Sequence, residues 1–138
     1  MALELSSLVK AVHALDRAVR VAGKEIQGPV NTDQEEVIRA GVIQNFELTY
    51  ELCWKFMKRW LEANAAGPVD GFSMKELFRM AAERQLIDDV HPWFGYHQKR
   101  NMTSHTYDAV TANDVFETSV RFLVDARKLL NVLDSKND

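Results

Sequence analysis

Apolar residues recur at steps of three and four along most of this chain, the repeat of a helix that buries one face. Leu5, Leu8, Val12, Leu15, Val19 and Ala22 draw the first stripe, which predicts a helix from about Leu3 to Lys24. Gly28-Pro29 then breaks the pattern. Thr32 with Glu35 three residues later has capping-box spacing, in which a hydroxyl and a carboxylate satisfy free amides at a helix start. The helix it opens carries Val42, Phe46, Thr49, Cys53, Phe56 and Trp60 inward and reaches about Ala65, where AAGPVDG ends it. Glu47, Glu51, Lys55 and Arg59 fall four apart on another face and read as solvated, with Glu51 and Lys55 a favourable pair.

Ser73 and Glu76 repeat the capping-box spacing and predict a short third helix with Leu77, Phe78 and Ala81 inward. A fourth is predicted from about Pro92, carrying Trp93, Phe94 and Tyr96, because proline is tolerated in a first turn. Thr111 with Asp114 offers the cap of a last helix that turns Val115, Ser119, Phe122, Ala126, Leu129 and Leu133 inward. No stretch alternates with period two for long enough to predict a strand. The expected fold is therefore all-α: an antiparallel up-and-down bundle of four long helices and one short one, a single domain over residues 1–138.

Composition narrows the function classes. The formal net charge of −3 leaves nucleic-acid binding to a local basic patch. Cys53, the single cysteine, has no partner for an internal disulfide and reads as a small buried side chain. No apolar run approaches the ~20 residues of a membrane span, and MALELSSLVK lacks the basic start and apolar core of a signal peptide. A soluble, cytoplasmic protein is expected, with no membrane contact. Among His13, His91, His97 and His105 none pairs at a zinc-binding spacing, and Glu47 and Glu51 lack the Glu-x-x-His motifs of bundle metal sites. Neither a metal nor another cofactor is expected.

One stretch departs from the apolar pattern. RNMTSHTYD, residues 100–108, gathers an arginine, an asparagine, hydroxyls, a histidine and a carboxylate. On a straight helix Arg100 and Ser104 share a face, as do Asn101 and His105, and Tyr107 lies within about 20° of Arg100. Arg100 and His105 diverge by about 140°, so they converge only if the helix loosens or a second subunit faces the first. Spacing alone leaves two readings, a solvated helix end or a site. An arginine and a histidine without a nucleophilic serine or cysteine suit RNA cleavage, because RNA carries its own nucleophile in the 2′-hydroxyl.

RNMTSHTYD resembles the motif of the HEPN superfamily: an arginine, a polar residue, and a histidine four to six residues after the arginine. The tyrosine two places beyond the histidine resembles HepT-type toxins of nucleotidyltransferase-linked toxin–antitoxin pairs. FELTYELCWKFMK, residues 46–58, is similar to the second helix of nucleotidyltransferase substrate-binding proteins, the same branch. The resemblance implies a helical homodimer whose two motif copies face one cleft, and a metal-independent endoribonuclease acting on RNA. It also implies a minimal nucleotidyltransferase antitoxin that transfers AMP onto the motif tyrosine. Carried over, Arg100 and His105 would be catalytic, Asn101 their polar support and Tyr107 the modified hydroxyl, with Lys99 adding local positive charge. His97 and Ser104 stand close enough in sequence to support the pair. The alternative is a non-catalytic substrate-binding subunit of the nucleotidyltransferase.

Overall fold

A computed structural model describes residues 2–64 and 69–137. Its five α-helices are α1 (Ser6–Glu25), α2 (Asp33–Ala63), α3 (Met74–Glu83), α4 (Val90–Asn101) and α5 (Ala109–Ser135). A single 3₁₀ turn, Thr103–His105, follows α4, and no strand occurs among the described residues. The molecule is the all-helical bundle that the periodicity predicts. Helices α1, α2 and α5 are long, at 20, 31 and 27 residues, while α4 spans 12 and α3 spans 10.

Local chemistry explains most boundaries. Thr32 and Ser73 each close the capping box that their spacing predicts, with Glu35 and Glu76 as partners. Helix α1 starts at Ser6, later than predicted, and its N-cap position, Leu5, makes no side-chain capping bond. Leu3 is held instead by Asn137, whose amide oxygen accepts from its N–H at 2.6 Å. The predicted end of α2 at Ala65 lies outside the described residues; the helix is described as far as Ala63. Helix α4 starts at Val90, where Asp89 accepts from the His91 amide.

The start of α5 needs a correction. Asp108, not Thr111, is its cap: one Asp108 oxygen accepts from both the Thr111 amide, at 3.3 Å, and the Thr111 hydroxyl, at 2.8 Å. Either residue suits an N-cap, but a carboxylate at position 108 reaches the third amide and opens the helix three residues sooner. The Thr111 bonds thus lower the Asp108 carboxyl below its usual value.

The core that positions α4 is aromatic. Phe122 of α5 lies edge-on to Phe46 of α2 at 5.1 Å and to Tyr96 and Trp93 of α4 at 4.9 and 5.7 Å. Edge-to-face rings hold their relative angles as well as burying area, so α4 is fixed in rotation against α2. The Tyr96 hydroxyl, donating to Asp125, adds a polar tie to α5. Asp16 of α1 is buried and bound by Arg20 and by Arg127 of α5, which closes the bundle on the opposite side.

Candidate active site

Arg100 lies in the last turn of α4, and the rotation set by the aromatic core points its guanidinium at α2. Its Nε donates to Glu51 Oε1 at 2.9 Å, and its terminal nitrogen stands 3.4 Å from Glu47 Oε2. The other oxygen of Glu51 accepts from Trp54 Nε1 at 3.1 Å, and Glu47 accepts from the Thr103 hydroxyl at 2.7 Å. Both carboxylates are thereby oriented before they reach the arginine. One guanidinium against two carboxylates leaves the cluster with a net negative charge.

Behind it, His97 Nδ1 lies 2.8 Å from the hydroxyl of Tyr50, which is buried in α2. Burial drives the Tyr50 phenol far above its ordinary value, so it keeps its proton and donates. Burial also pulls His97 below its usual value, although the Glu51 carboxylate acts the other way. Nδ1 is therefore the acceptor, and the proton of the neutral ring sits on Nε2. His97 braces α4 against α2 one turn before Arg100.

The remaining motif residues face solvent. His105 ends the 3₁₀ turn with its side chain exposed, and Asn101 and Ser104 are exposed beside it. Tyr107 is 89% exposed, the most open of the large apolar side chains. The α-helix stops at Asn101, so the backbone does change its winding before His105. No hydrogen bond or ion pair joins Arg100 to His105 or Tyr107 among the described residues.

Two sequence expectations are corrected here. Glu51 is turned toward Arg100 and Trp54 and forms no ion pair with Lys55 among the described residues; a buried-side arginine fork outcompetes a flexible surface lysine. Lys99 is not an open cation: its ammonium is 2.6 Å from Asp114, and its side chain is only 18% exposed. Glu47, Glu51, Tyr50 and Thr103 belong to the site; read from sequence, Glu47 and Glu51 lie on a solvated face, Tyr50 is not singled out, and Thr103 enters only as one hydroxyl of RNMTSHTYD. The available signal was their place within FELTYELCWKFMK, where Glu47 and Glu51 flank Tyr50 on adjacent turns. Of the remaining histidines and tryptophans, His13 and His91 are exposed, Trp93 is buried, and Trp54 and Trp60 pack at the core edge.

A profile of the family described as "nucleotidyltransferase substrate binding protein like" matches residues 3–135. The chain belongs to this family. It is 33% identical to a Haemophilus influenzae protein named probable ribonuclease HepT, over 98% of this chain and 94% of that one. A solved Haemophilus influenzae structure, described as the fold of a substrate-binding domain of a nucleotidyltransferase, superposes with a TM-score of 0.85. That structure is 32% identical, and the match covers 95% of this chain and 99% of the other. A Thermus thermophilus crystal structure aligns at a TM-score of 0.67 and 26% identity, over 94% of this chain and 97% of its own. Within this family fold, the last turn of α4 carries Arg100, held by α2, and the α4–α5 connection carries the exposed histidine and tyrosine. No described helix is long and apolar enough to cross a membrane.

Proposed function

We propose that this protein is a HepT-like ribonuclease toxin, acting as a homodimer and restrained by a minimal nucleotidyltransferase that adds AMP to Tyr107. The observation that carries this reading is the arrangement at the end of α4: an oriented guanidinium with an open histidine and tyrosine a few residues further on. The likeness to a probable ribonuclease HepT supports it over nearly the whole chain. Arginine has five N–H donors, so the bonds to Glu47 and Glu51 leave others to grip a phosphate. In the reaction, His105 takes the proton of an RNA 2′-hydroxyl, and that oxygen bonds to the adjacent phosphorus. The bond to the 5′-oxygen breaks, and this oxygen leaves with a proton from an imidazolium. Arg100 stabilises the charge that builds on the phosphoryl oxygens. The products are a 2′,3′-cyclic phosphate and a 5′-hydroxyl, and no step calls for a metal.

A second copy supplies what one chain lacks. Val37 and Leu48, 72% and 58% exposed, lie eleven residues apart and hence within about 20° of each other on α2. Both lie on the α2 face that carries Glu47 and Glu51, with Gln44 exposed between them, and pairing along this face brings two motif copies face to face. Tyr107 offers its hydroxyl to the transferase: Oη bonds to the α-phosphorus of ATP, pyrophosphate leaves, and the phenolic proton passes to solvent. The added phosphate then repels an RNA backbone.

The test is RNA cleavage by the purified protein in a chelating buffer, with the product ends identified. His105→Ala should keep its helical circular dichroism and melting point and lose cleavage, and a fully active variant would sink the mechanism. The family's description favours a second reading, a non-catalytic subunit that presents substrate to the nucleotidyltransferase. Under that reading the wild type cuts no RNA and still binds its partner.

A further inference from the structure

We infer that the cleft between α2 and the start of α5, beside Tyr107, is a binding site for a nucleoside monophosphate, the one carried on that tyrosine. The tether rests on the reading of Tyr107 given above; the cleft's chemistry does not. The cleft holds about 280 Å³ and is lined by Arg39, Ala40 and Ile43 of α2 and by Thr106, Tyr107 and Ala112, with Glu36 at its lip. That volume lies near the lower end of small-molecule sites, ~300–1,000 Å³, and suits a single nucleotide.

Arg39 is the reason to expect an anion. It is 8% exposed, yet it makes no ion pair among the described residues. Its one side-chain partner among the described residues is neutral: a terminal nitrogen donates to Asn113 Oδ1 at 2.6 Å. Arg20, Arg100 and Arg127, all more exposed, each hold a carboxylate. An arginine this buried ordinarily has an anionic partner, because a buried charge left uncompensated is costly. No sealed side-chain nitrogen or oxygen among the described residues lacks a hydrogen bond, so the unused donors of Arg39 are not sealed off, and Arg39 lines the cleft. The Thr111 amide at the start of α5 is not free to take the anion, since Asp108 caps it.

The rest of the lining fits the other parts of a nucleotide. Ala40, Ile43 and Ala112 form an apolar wall for a base, and the Glu36 carboxylate at the lip accepts from ribose hydroxyls or an exocyclic amine. Tyr107 lines the same cleft with its ring almost wholly exposed, so a phosphoryl group on Oη starts at the mouth. Folding the nucleotide inward pairs its phosphate with Arg39 and covers the apolar wall.

The experiment is a titration of the isotope-labelled full-length protein with AMP and with adenosine, following the amides of Ala40, Ile43 and Ala112. AMP should move these signals, and adenosine should bind about tenfold more weakly for want of the charge-assisted bonds. Arg39→Gln should weaken AMP by a similar factor. Ala40→Phe, at an exposed position, should do so by filling the mouth, and it decides the question if the arginine variant does not fold. Asn113→Ala should leave AMP affinity intact or raise it. Absent shifts, equal binding of adenosine, or wild-type affinity in Ala40→Phe would overturn the site. Protein bearing AMP on Tyr107 should show the shifted signals unaided and refuse free AMP; unchanged affinity there overturns the tethered occupant. Displacement of AMP by a short oligoribonucleotide would likewise reassign the cleft to RNA. Should Tyr107 accept no AMP from the partner, the proposed switch fails, while the AMP–adenosine comparison still decides the cleft.

Discussion

At the scale of single residues, Arg100 is held by two carboxylates whose charge opposes the phosphate it is proposed to bind. Glu51 therefore has two opposed effects, orienting the guanidinium and repelling the RNA backbone. Removing it should separate them. Glu51→Ala should lower kcat by about tenfold or more through misplacement of Arg100, while KM for RNA falls because a negative charge has gone. A drop in kcat with KM unchanged would leave repulsion out of the account. His97 gives a second handle. Its folded pKa lies below the ordinary 6.5, so the unfolded chain binds a proton more readily than the folded one. The stability from this site is complete above about pH 6.5 and is lost as pH falls through the folded value. Urea midpoints measured against pH should fall less steeply on the acid side in His97→Gln than in the wild type.

At the scale of elements, the junction of α4 and α5 does two things at once. The 3₁₀ turn ends α4 and presents His105, and Asp108 starts α5 one residue after Tyr107. A tyrosine set just outside a cap is exposed because the chain has not yet turned into the helix. Asp108→Ala should cost about 1 kcal/mol of stability, read from chemical denaturation, and should also blunt AMP addition by letting Tyr107 move. Both capping boxes, Thr32 with Glu35 and Ser73 with Glu76, were legible from spacing, since each uses residues three apart in one chain segment. The α5 start was misplaced by three residues because Asp108, Thr111 and Asp114 all suit a cap, and local chemistry alone does not rank them.

At the scale of the whole molecule, the bundle leaves Val37 and Leu48 uncovered on one face of α2. Leu48→Glu should convert the proposed homodimer to a monomer in light scattering with its helical content intact, and RNA cleavage should be lost with it. A dimeric, active Leu48→Glu protein would place the interface elsewhere. The aromatic packing around Phe122 couples this surface to the site, because the same contacts that fix α4 against α2 decide where Arg100 points.

The sequence by itself determined the helices, their inward faces, two of their caps and the polar stretch that carries Arg100, His105 and Tyr107. Those features depend on neighbours three or four residues apart, and the helix repeat brings such neighbours together without help from the rest of the chain. Only the tertiary structure decided that Glu51 serves Arg100 and not Lys55, that Lys99 is bound by Asp114, and that Arg39 is enclosed without a carboxylate. These pairings span 49 residues for Glu51 and Arg100 and 74 for Arg39 and Asn113. Partners so far apart are set by the angle at which helices pack, and that angle is written in the assembled core and not in any local spacing.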